Sequence, residues 1–403
     1  MKQGASAGGP ASRNGNFMKA MLLFVTVFLL VYGGMHLYFL LRLRSAFGIG
    51  SAATVVMALI LAFLVVSPVL VTVLERRGHE TAALVIAYTG YTWMGFMFIT
   101  VSLFLFVDLL RAVLSPMGVH ARFFAGYGAT VLCLVLASGL SAWGCYEARN
   151  PQTTHITIET AKLPETYGGI RIVHLSDVHL GLVLREKRLA RILELVKEAR
   201  PDILVSTGDL VDGQMDAIAG SARLLGEFAP PLGKFAVMGN HEFYAGVSNA
   251  AEFHRLSGFR LLRGEVVVVA DGVLAVAGVD DPAGRKLSPL NAPHSFRDTG
   301  EEEKLFEPVD DQVFRLLLKH QPTVSSAMPS PFDLQLSGHT HKGQIFPFTL
   351  VTGLVYRYSS GYHLLPGGGR LYVSRGAGTW GPAIRLMAPP EVVIIDLVKN
   401  GAS

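Results

Sequence analysis

Residues 170–179 read IRIVHLSDVH: an apolar, β-branched run that stops at Ser176 and is followed by Asp177 and His179, two positions apart. Such a run predicts a buried strand over 170–175, with the polar pair just past its end. In an open α/β sheet, ligands bind at that place. The plan recurs downstream. Asp209 follows ILVSTG (203–208), Asn240-His241-Glu242 follow FAVMG (235–239), and His339-Thr340-His341 follow LQLSG (334–338). Other β-branched runs predict strands over 155–159, 203–206, 235–238, 266–270, 274–278, 334–336, 371–374 and 392–396. Residues 186–199, 216–228 and 309–319 carry apolar positions at helical spacing, and His320 follows the last of these. Asp271-Gly272 between two Val-rich runs predicts a two-residue hairpin. From residue 153 onward the chain therefore reads as α/β.

An extended D-x-H or H-x-H puts both side chains on one side of the strand, so each pair can converge on a cation. One such pair alone is commonplace, because Asp and His at strand ends often cap turns. Five clusters in order, with no cysteine among them, point instead to a hydrolytic site with two cations about 3.5–4 Å apart, bridged by a carboxylate. Mixed Asp, His and Asn donors suit manganese, iron or zinc.

The ordered set D-x-H (Asp177, His179), G-D-x-x-D (Gly208, Asp209, Asp212), G-N-H-E (Gly239 to Glu242), a lone His320 and G-H-x-H (Gly338 to His341) resembles the calcineurin-like metallophosphoesterases. The resemblance spans about 153–398, and the ending RGAGTWGPAIRLMAPPEVVIIDL looks like the branch of transmembrane proteins with a metallophosphoesterase domain. It implies a four-layer α-β-β-α sandwich. It also implies that one metal takes Asp177, His179, Asp209 and His341, and that the other takes Asp209, Asn240, His320 and His339. Asp209 is then the bridge, and a water made acidic by both cations attacks phosphorus in line. His241 stabilises or protonates the leaving oxygen, while Asp212 and Glu242 support loop or ligand orientation. Arg375 and Arg385 read as ordinary salt bridges rather than substrate contacts, His174 as a core or supporting histidine, and Asp280-Asp281 as a turn before Pro282.

The N-terminal third differs. Of the 35 Lys and Arg, ten fall in residues 1–150 against four acids, while the remainder carries 25 basic and 27 acidic residues. The pI near 9.0 thus reflects basic residues flanking apolar segments, which disfavours nucleic-acid binding through a basic patch. Residues 1–17 read as a flexible tail. Runs at about 18–41, 52–74, 82–107 and 125–145 are each long enough to span a bilayer, predicting an all-α bundle of four transmembrane helices over 18–148 ahead of the phosphoesterase domain at 153–403. Both cysteines, Cys133 and Cys145, lie in the last run, so no disulfide framework is available to the α/β part. Lys2, Arg13, Lys19, Arg76, Arg77 and Arg149 on one side, against Arg42, Arg44, Arg111 and Arg122 on the other, favour a cytoplasmic N-terminus and a cytoplasmic C-terminal domain in the inner membrane. The helix interiors hold only His36, with Asp108 at a helix end, which disfavours a transporter. Gly33, Gly34, Gly90 and Gly95 read as close helix contacts.

The reading is a membrane-anchored phosphoesterase with two divalent ions. Its substrate is a phosphomonoester, phosphodiester or pyrophosphate held in or near the membrane, one candidate being a UDP-diacylglucosamine-type lipid A precursor. The alternatives are a sensor or scaffold without turnover, or a transporter with a regulatory domain. Residues 345–356 (IFPFTLVTGLVY) are unusually apolar for a loop beside a polar site. They read either as a core segment or as a surface that rests on the bilayer and admits a lipid substrate.

Overall fold

The computed structural model describes residues 10–117, 126–212, 218–284, 302–324 and 329–401. The chain forms two compact units, Met1–Gly139 and Leu140–Ser403.

The first unit contains α1 (Pro10–Phe47), α2 (Ser51–Arg76), α3 (Glu80–Leu114) and the start of α4 (Tyr127–Arg149). All four helices are long and apolar enough to cross a membrane. α1 is helical from Pro10, inside the stretch read as a tail; proline suits a first helical turn, where its missing N–H is not needed. Tyr32, Phe39, Leu61, Met97 and Phe104 are buried together between helices. Gly90 is a close contact, since a Cβ there would lie 2.2 Å from Ser67 Oγ, but Gly33 and Gly34 face open space and are not. His36 is satisfied on both nitrogens, by Tyr32 O at 2.7 Å and Trp93 Nε1–H at 2.8 Å. One expectation needs correcting. Because α3 continues to Leu114, Asp108 lies within the helix and pairs with Arg42 at 2.5 Å, accepting also from Tyr38 Oη–H at 2.6 Å. This charge is thus paired within the helical unit.

The second unit holds two six-stranded sheets, ordered β1-β12-β2-β3-β4-β5 and β10-β11-β9-β8-β7-β6. The first comprises β1 (Gln152–Thr160), β2 (Ile170–Leu175), β3 (Ile203–Ser206), β4 (Lys234–Ala236), β5 (Arg260–Leu261) and β12 (Glu391–Lys399). The second comprises β6 (Glu265–Val269), β7 (Leu274–Val279), β8 (Phe314–Lys319), β9 (Leu334–Ser337), β10 (Gly361–Leu364) and β11 (Arg370–Val373). Ile172, Val205, Val237 and Ile395 of one sheet meet Val276, Leu316, Leu318 and Leu336 of the other in a shared core. On the far face of the first sheet lie α5 (Glu186–Ala199), α6 (Ala219–Gly226), α7 (Asn240–Ala245) and α8 (Val247–Leu256). On the far face of the second lies α9 (Glu302–Phe306), with Leu305 and Phe306 against Leu317 and Leu371. This is the four-layer α-β-β-α sandwich.

Two local expectations fail for physical reasons. Residues 314–319 are a central strand, not a helix: Leu316, Leu317 and Leu318 are all buried, and a strand covered on both faces loses the alternation that would distinguish it. The hairpin at Asp271 has a longer loop than two residues, because Val269 pairs with Leu274 and a 3₁₀ turn spans Ala270–Gly272. The strand assignment carries a stability prediction. Leu316→Ala should cost about 2–5 kcal/mol, read as a drop in thermal midpoint; an unchanged midpoint would contradict a central β8.

The α/β unit begins at Leu140, so the last turns of α4 pack with it. Gly144 O accepts from Arg385 N at 2.9 Å, and a Cβ on Gly144 would lie 2.6 Å from Ile384 Cγ2.

Candidate metal centre

β2, β3 and β4 run parallel in one sheet, and β8 and β9 run parallel in the other. Every predicted ligand follows one of these five strands. The loops are stitched together by their backbones: Asp177 N donates to Gly208 O at 3.1 Å, and His179 N to Asp209 O at 3.0 Å. The D-x-H and H-x-H segments are not extended, however. Asp177, His179, Asp209, His339 and His341 have φ of 51°, 55°, 50°, 69° and 48°. Convergence therefore comes from left-handed turns beyond the strands, a sparsely populated conformation that the packed surroundings must hold. Neighbouring glycines make room for these turns. A Cβ on Gly338 would lie 2.1 Å from Asp177 Oδ2, and one on Gly239 would lie 2.2 Å from Asp209 Oδ1.

Three groups of side chains result among the described residues: two from expected ligands, and a third of His179, Asp212 and His241. Asp177, His179 and His341 have ligand atoms within 4.8 Å of one another, as do Asp209, His320 and His339. In the first group, His179 Nε2 lies 3.0 Å from His341 Nε2, which is 3.6 Å from Asp177 Oδ1. In the second, His320 Nε2 faces Asn240 Oδ1 at 3.1 Å, His339 Nδ1 at 3.1 Å and Asp209 Oδ2 at 3.2 Å. Asp209 Oδ2 also lies 3.9 Å from His179 Nε2, so this oxygen stands between the groups. All seven side chains expected to be ligands come together.

The donor set fits divalent cations. One imidazole nitrogen has either a single N–H or a single lone pair, yet His320 Nε2 faces three acceptor-capable atoms. A shared cation resolves that crowding, and no sulfur donor is present to favour a structural zinc. Burial lowers His179 to about 4 and His339 to about 3, and pushes His341 well below the usual range. These imidazoles are neutral at physiological pH, as ligands must be. His320 goes the other way. Burial works to lower it, but the Asp209 carboxylate beside it raises it well above the ordinary value.

His241 sits against the two groups of expected ligands and forms the third with His179 and Asp212. Its backbone N donates to Asp209 Oδ1 at 2.9 Å, its Nδ1 pairs with Asp212 Oδ1 at 2.6 Å, and its ring is 4.7 Å from that of His179. Burial works to lower its pKa, but Asp209 and Asp212 outweigh it and raise it to about 9. A cation bound at Asp209 would offset the first of these charges, leaving Asp212 to hold the proton. If the protonated imidazole is the required form, kcat falls as pH rises through that pKa. Asp212→Asn, which removes a raising charge, should then start the decline about one unit lower; coincident kcat–pH profiles would contradict this role. Glu242 is fully buried and accepts from Gly239, Asp209, Leu210 and Val211 N at 2.7–3.2 Å. It clamps the Asp209 loop to the start of α7.

The residues around the centre meet the sequence reading unevenly. Arg385 makes no carboxylate pair among the described residues. It is completely buried, its guanidinium donating to the carbonyls of His341, Arg375 and Gly378 and lying 2.9 Å from His341 Nδ1. Nothing in its sequence neighbourhood marks that role. Arg375 does form the expected salt bridge, with Glu391 at 2.7 Å. His174 Nε2 meets Thr207 Oγ1, which bonds to Ser176, and Ser176 donates to Asp177 Oδ2, so it supports a ligand at two removes. Asp281 caps the turn through Ala283 N, whereas Asp280 pairs with Arg263 at 2.7 Å. Residues 348–355 form a helix, α10 (Phe348–Val355), and the next residue, Tyr356, places its hydroxyl 2.9 Å from His339 Nε2.

Residues 170–343 match the calcineurin-like phosphoesterase family. Over 270 residues the chain is 40% identical to an uncharacterized metallophosphoesterase of Aquifex aeolicus, an alignment that covers 66% of this chain and 100% of the other. It is 32% identical over 278 residues to a transmembrane protein with metallophosphoesterase domain of Danio rerio, covering 66% and 62% of the two chains. An uncharacterized metallophosphoesterase of Bacillus subtilis is 30% identical, with 67% and 94% covered. Likeness of that degree along the entire Aquifex protein establishes that this chain belongs to the calcineurin-like metallophosphoesterases, metal-dependent hydrolases of phosphoesters.

Proposed function

We propose that the protein hydrolyses a phosphoester or pyrophosphate whose alcohol part is held in the bilayer, using two divalent ions of manganese, iron or zinc. Such ions supply Lewis acidity and a nucleophilic water at neutral pH. Asp177, His179, Asp209 and His341 would hold one ion, and Asp209, Asn240, His320 and His339 the other. His241 gives its proton to the leaving oxygen, oriented by Asp212. The His241–Asp212 pair favours turnover over a sensor or scaffold, which needs no proton donor.

The observation that carries the lipid part of this reading is α10. It directly follows the H-x-H loop and leaves Leu350, Val351, Leu354 and Val355 exposed, Leu354 at 88%. Residues 344–356 contain no charged side chain, while Lys342 and Arg357 flank them. That pattern suits an interfacial segment among anionic headgroups. A UDP-diacylglucosamine-type lipid is one candidate of this class. Lys and Arg placement supports the inner membrane, with the catalytic domain cytoplasmic.

Changing Leu350, Leu354 and Val355 together to Ser should lower kcat/KM on a lipid-linked phosphoester about tenfold or more, given roughly 1.5–3 kcal/mol per buried apolar side chain. With excess Mn²⁺, hydrolysis of a small soluble phosphodiester should be largely spared. Equal loss on both substrates would refute the lipid reading.

A further inference from the structure

α10 is held to the domain in an unusual way. Of its eight residues, only Thr352 is buried. A helix this short is unstable alone in water, and its exposed leucines and valines gain nothing from solvent. Its ends, by contrast, are fastened: the start to the Leu386 segment, the end to the loop that carries His339. At the start, Phe346 N donates to Leu386 O at 3.1 Å, and Leu386 N to Gln344 O at 3.0 Å. At the end, the Tyr356 hydroxyl meets His339 Nε2 at 2.9 Å, and just beyond it Ser359 O accepts from Thr340 Oγ1 at 2.6 Å.

A lipid surface is the occupant that the surroundings favour. Leu386 follows Arg385, whose N donates to Gly144 O on the last turns of α4. α4 is of bilayer-spanning length, and these turns carry the exposed Trp143 and Tyr146, with ring centroids 5.6 Å apart. Paired aromatics near a basic terminus, here Arg149, mark a membrane–water boundary. Exposed Met387 and Trp380 lie along the same segment, Trp380 O accepting from Gln344 Nε2 at 2.8 Å. Aromatic boundary, connecting segment and α10 thus form one hydrogen-bonded series inside the α/β unit.

At the other end of that series stands a ligand. His339 turns Nδ1 toward His320 Nε2, leaving Nε2 for Tyr356. A neutral imidazole that binds a cation through Nδ1 carries its proton on Nε2, and the group receiving that proton fixes the ring's orientation. We propose that Tyr356 is a positioning residue coupling the seating of α10 on the bilayer to the His339 ligand, so that the second metal position is completed only when the helix is seated. This rests on the lipid reading above. It goes beyond that reading by making the bilayer a determinant of metal affinity.

The test uses the full-length protein in phosphatidylcholine–phosphatidylglycerol nanodiscs, with Mn²⁺ affinity measured by EPR of the free ion. Tyr356→Phe should weaken one of two Mn²⁺ sites about tenfold or more. The Leu350/Leu354/Val355→Ser variant should weaken the same site with Tyr356 intact. Combining the two should add nothing further, since both act through one contact. A fluorophore on Leu354→Cys, with Cys133 and Cys145 changed to Ala, should be quenched by nitroxide lipids. A label left in water, or shielded by a second protein, would overturn the lipid reading on which the coupling rests. A lipid-quenched label with unchanged or additive Mn²⁺ affinities would overturn the coupling alone.

Discussion

Asp209→Ala should abolish metal binding at the centre and activity together, with phosphoesterase turnover falling on the order of 10³-fold or more. The expectation follows from the position of one oxygen. Oδ2 of Asp209 is 3.2 Å from His320 Nε2 and 3.9 Å from His179 Nε2, so it is the carboxylate atom shared by both groups of ligands. Without it, two dications lose the charge that offsets their mutual repulsion. Oδ1 does separate work, accepting from His241 N and fixing the turn that carries Asn240. Metal analysis of the purified variant should find less than one ion per chain. A variant that retains both ions and turns over would remove Asp209 from the centre of the account.

His241→Ala should have the complementary signature: metal content as in the unchanged protein, and turnover reduced about 10²–10⁴-fold, the range for a lost general acid. The imidazole approaches the His179 ring at 4.7 Å and bonds through Nδ1 to Asp212, leaving Nε2 as the nitrogen available to a leaving group. A leaving group of low pKa needs little protonation, so the loss should shrink on a nitrophenyl ester and persist on an alkyl ester. A uniform loss across leaving groups, or loss of metal, would assign His241 a structural role.

The legible part of the site was the part written as apolar run plus polar pair. Residues 170–179 announce both the strand and its ligands, and the clusters at Asp209, Asn240 and His339-Thr340-His341 repeat the arrangement; His320 is reached only through the ordered motif set, behind a run that reads as a helix. What the residues did not disclose was how they converge. The left-handed φ values at Asp177, His179, Asp209, His339 and His341 depend on glycines from other segments making room, such as Gly338 beside Asp177. β8 was hidden for the opposite reason: a strand buried on both faces shows no alternation, and LLLK following FR satisfies a helical pattern equally well. Arg385 and Tyr356 lie 44 and 17 residues from the histidines they touch. Arg385 reads as an ordinary salt-bridge partner and Tyr356 as the end of an apolar stretch. Their partners are set by tertiary packing, to which local patterns are blind.

The central claim is that these side chains hold two cations side by side. It is tested most directly by titrating the metal-free full-length protein with Mn²⁺ and recording EPR spectra. The account predicts about two equivalents bound with exchange-coupled spectra, as expected for ions about 3.5–4 Å apart, and loss of that coupling in Asp209→Ala. Mononuclear spectra at every loading, or no tight binding, would contradict it.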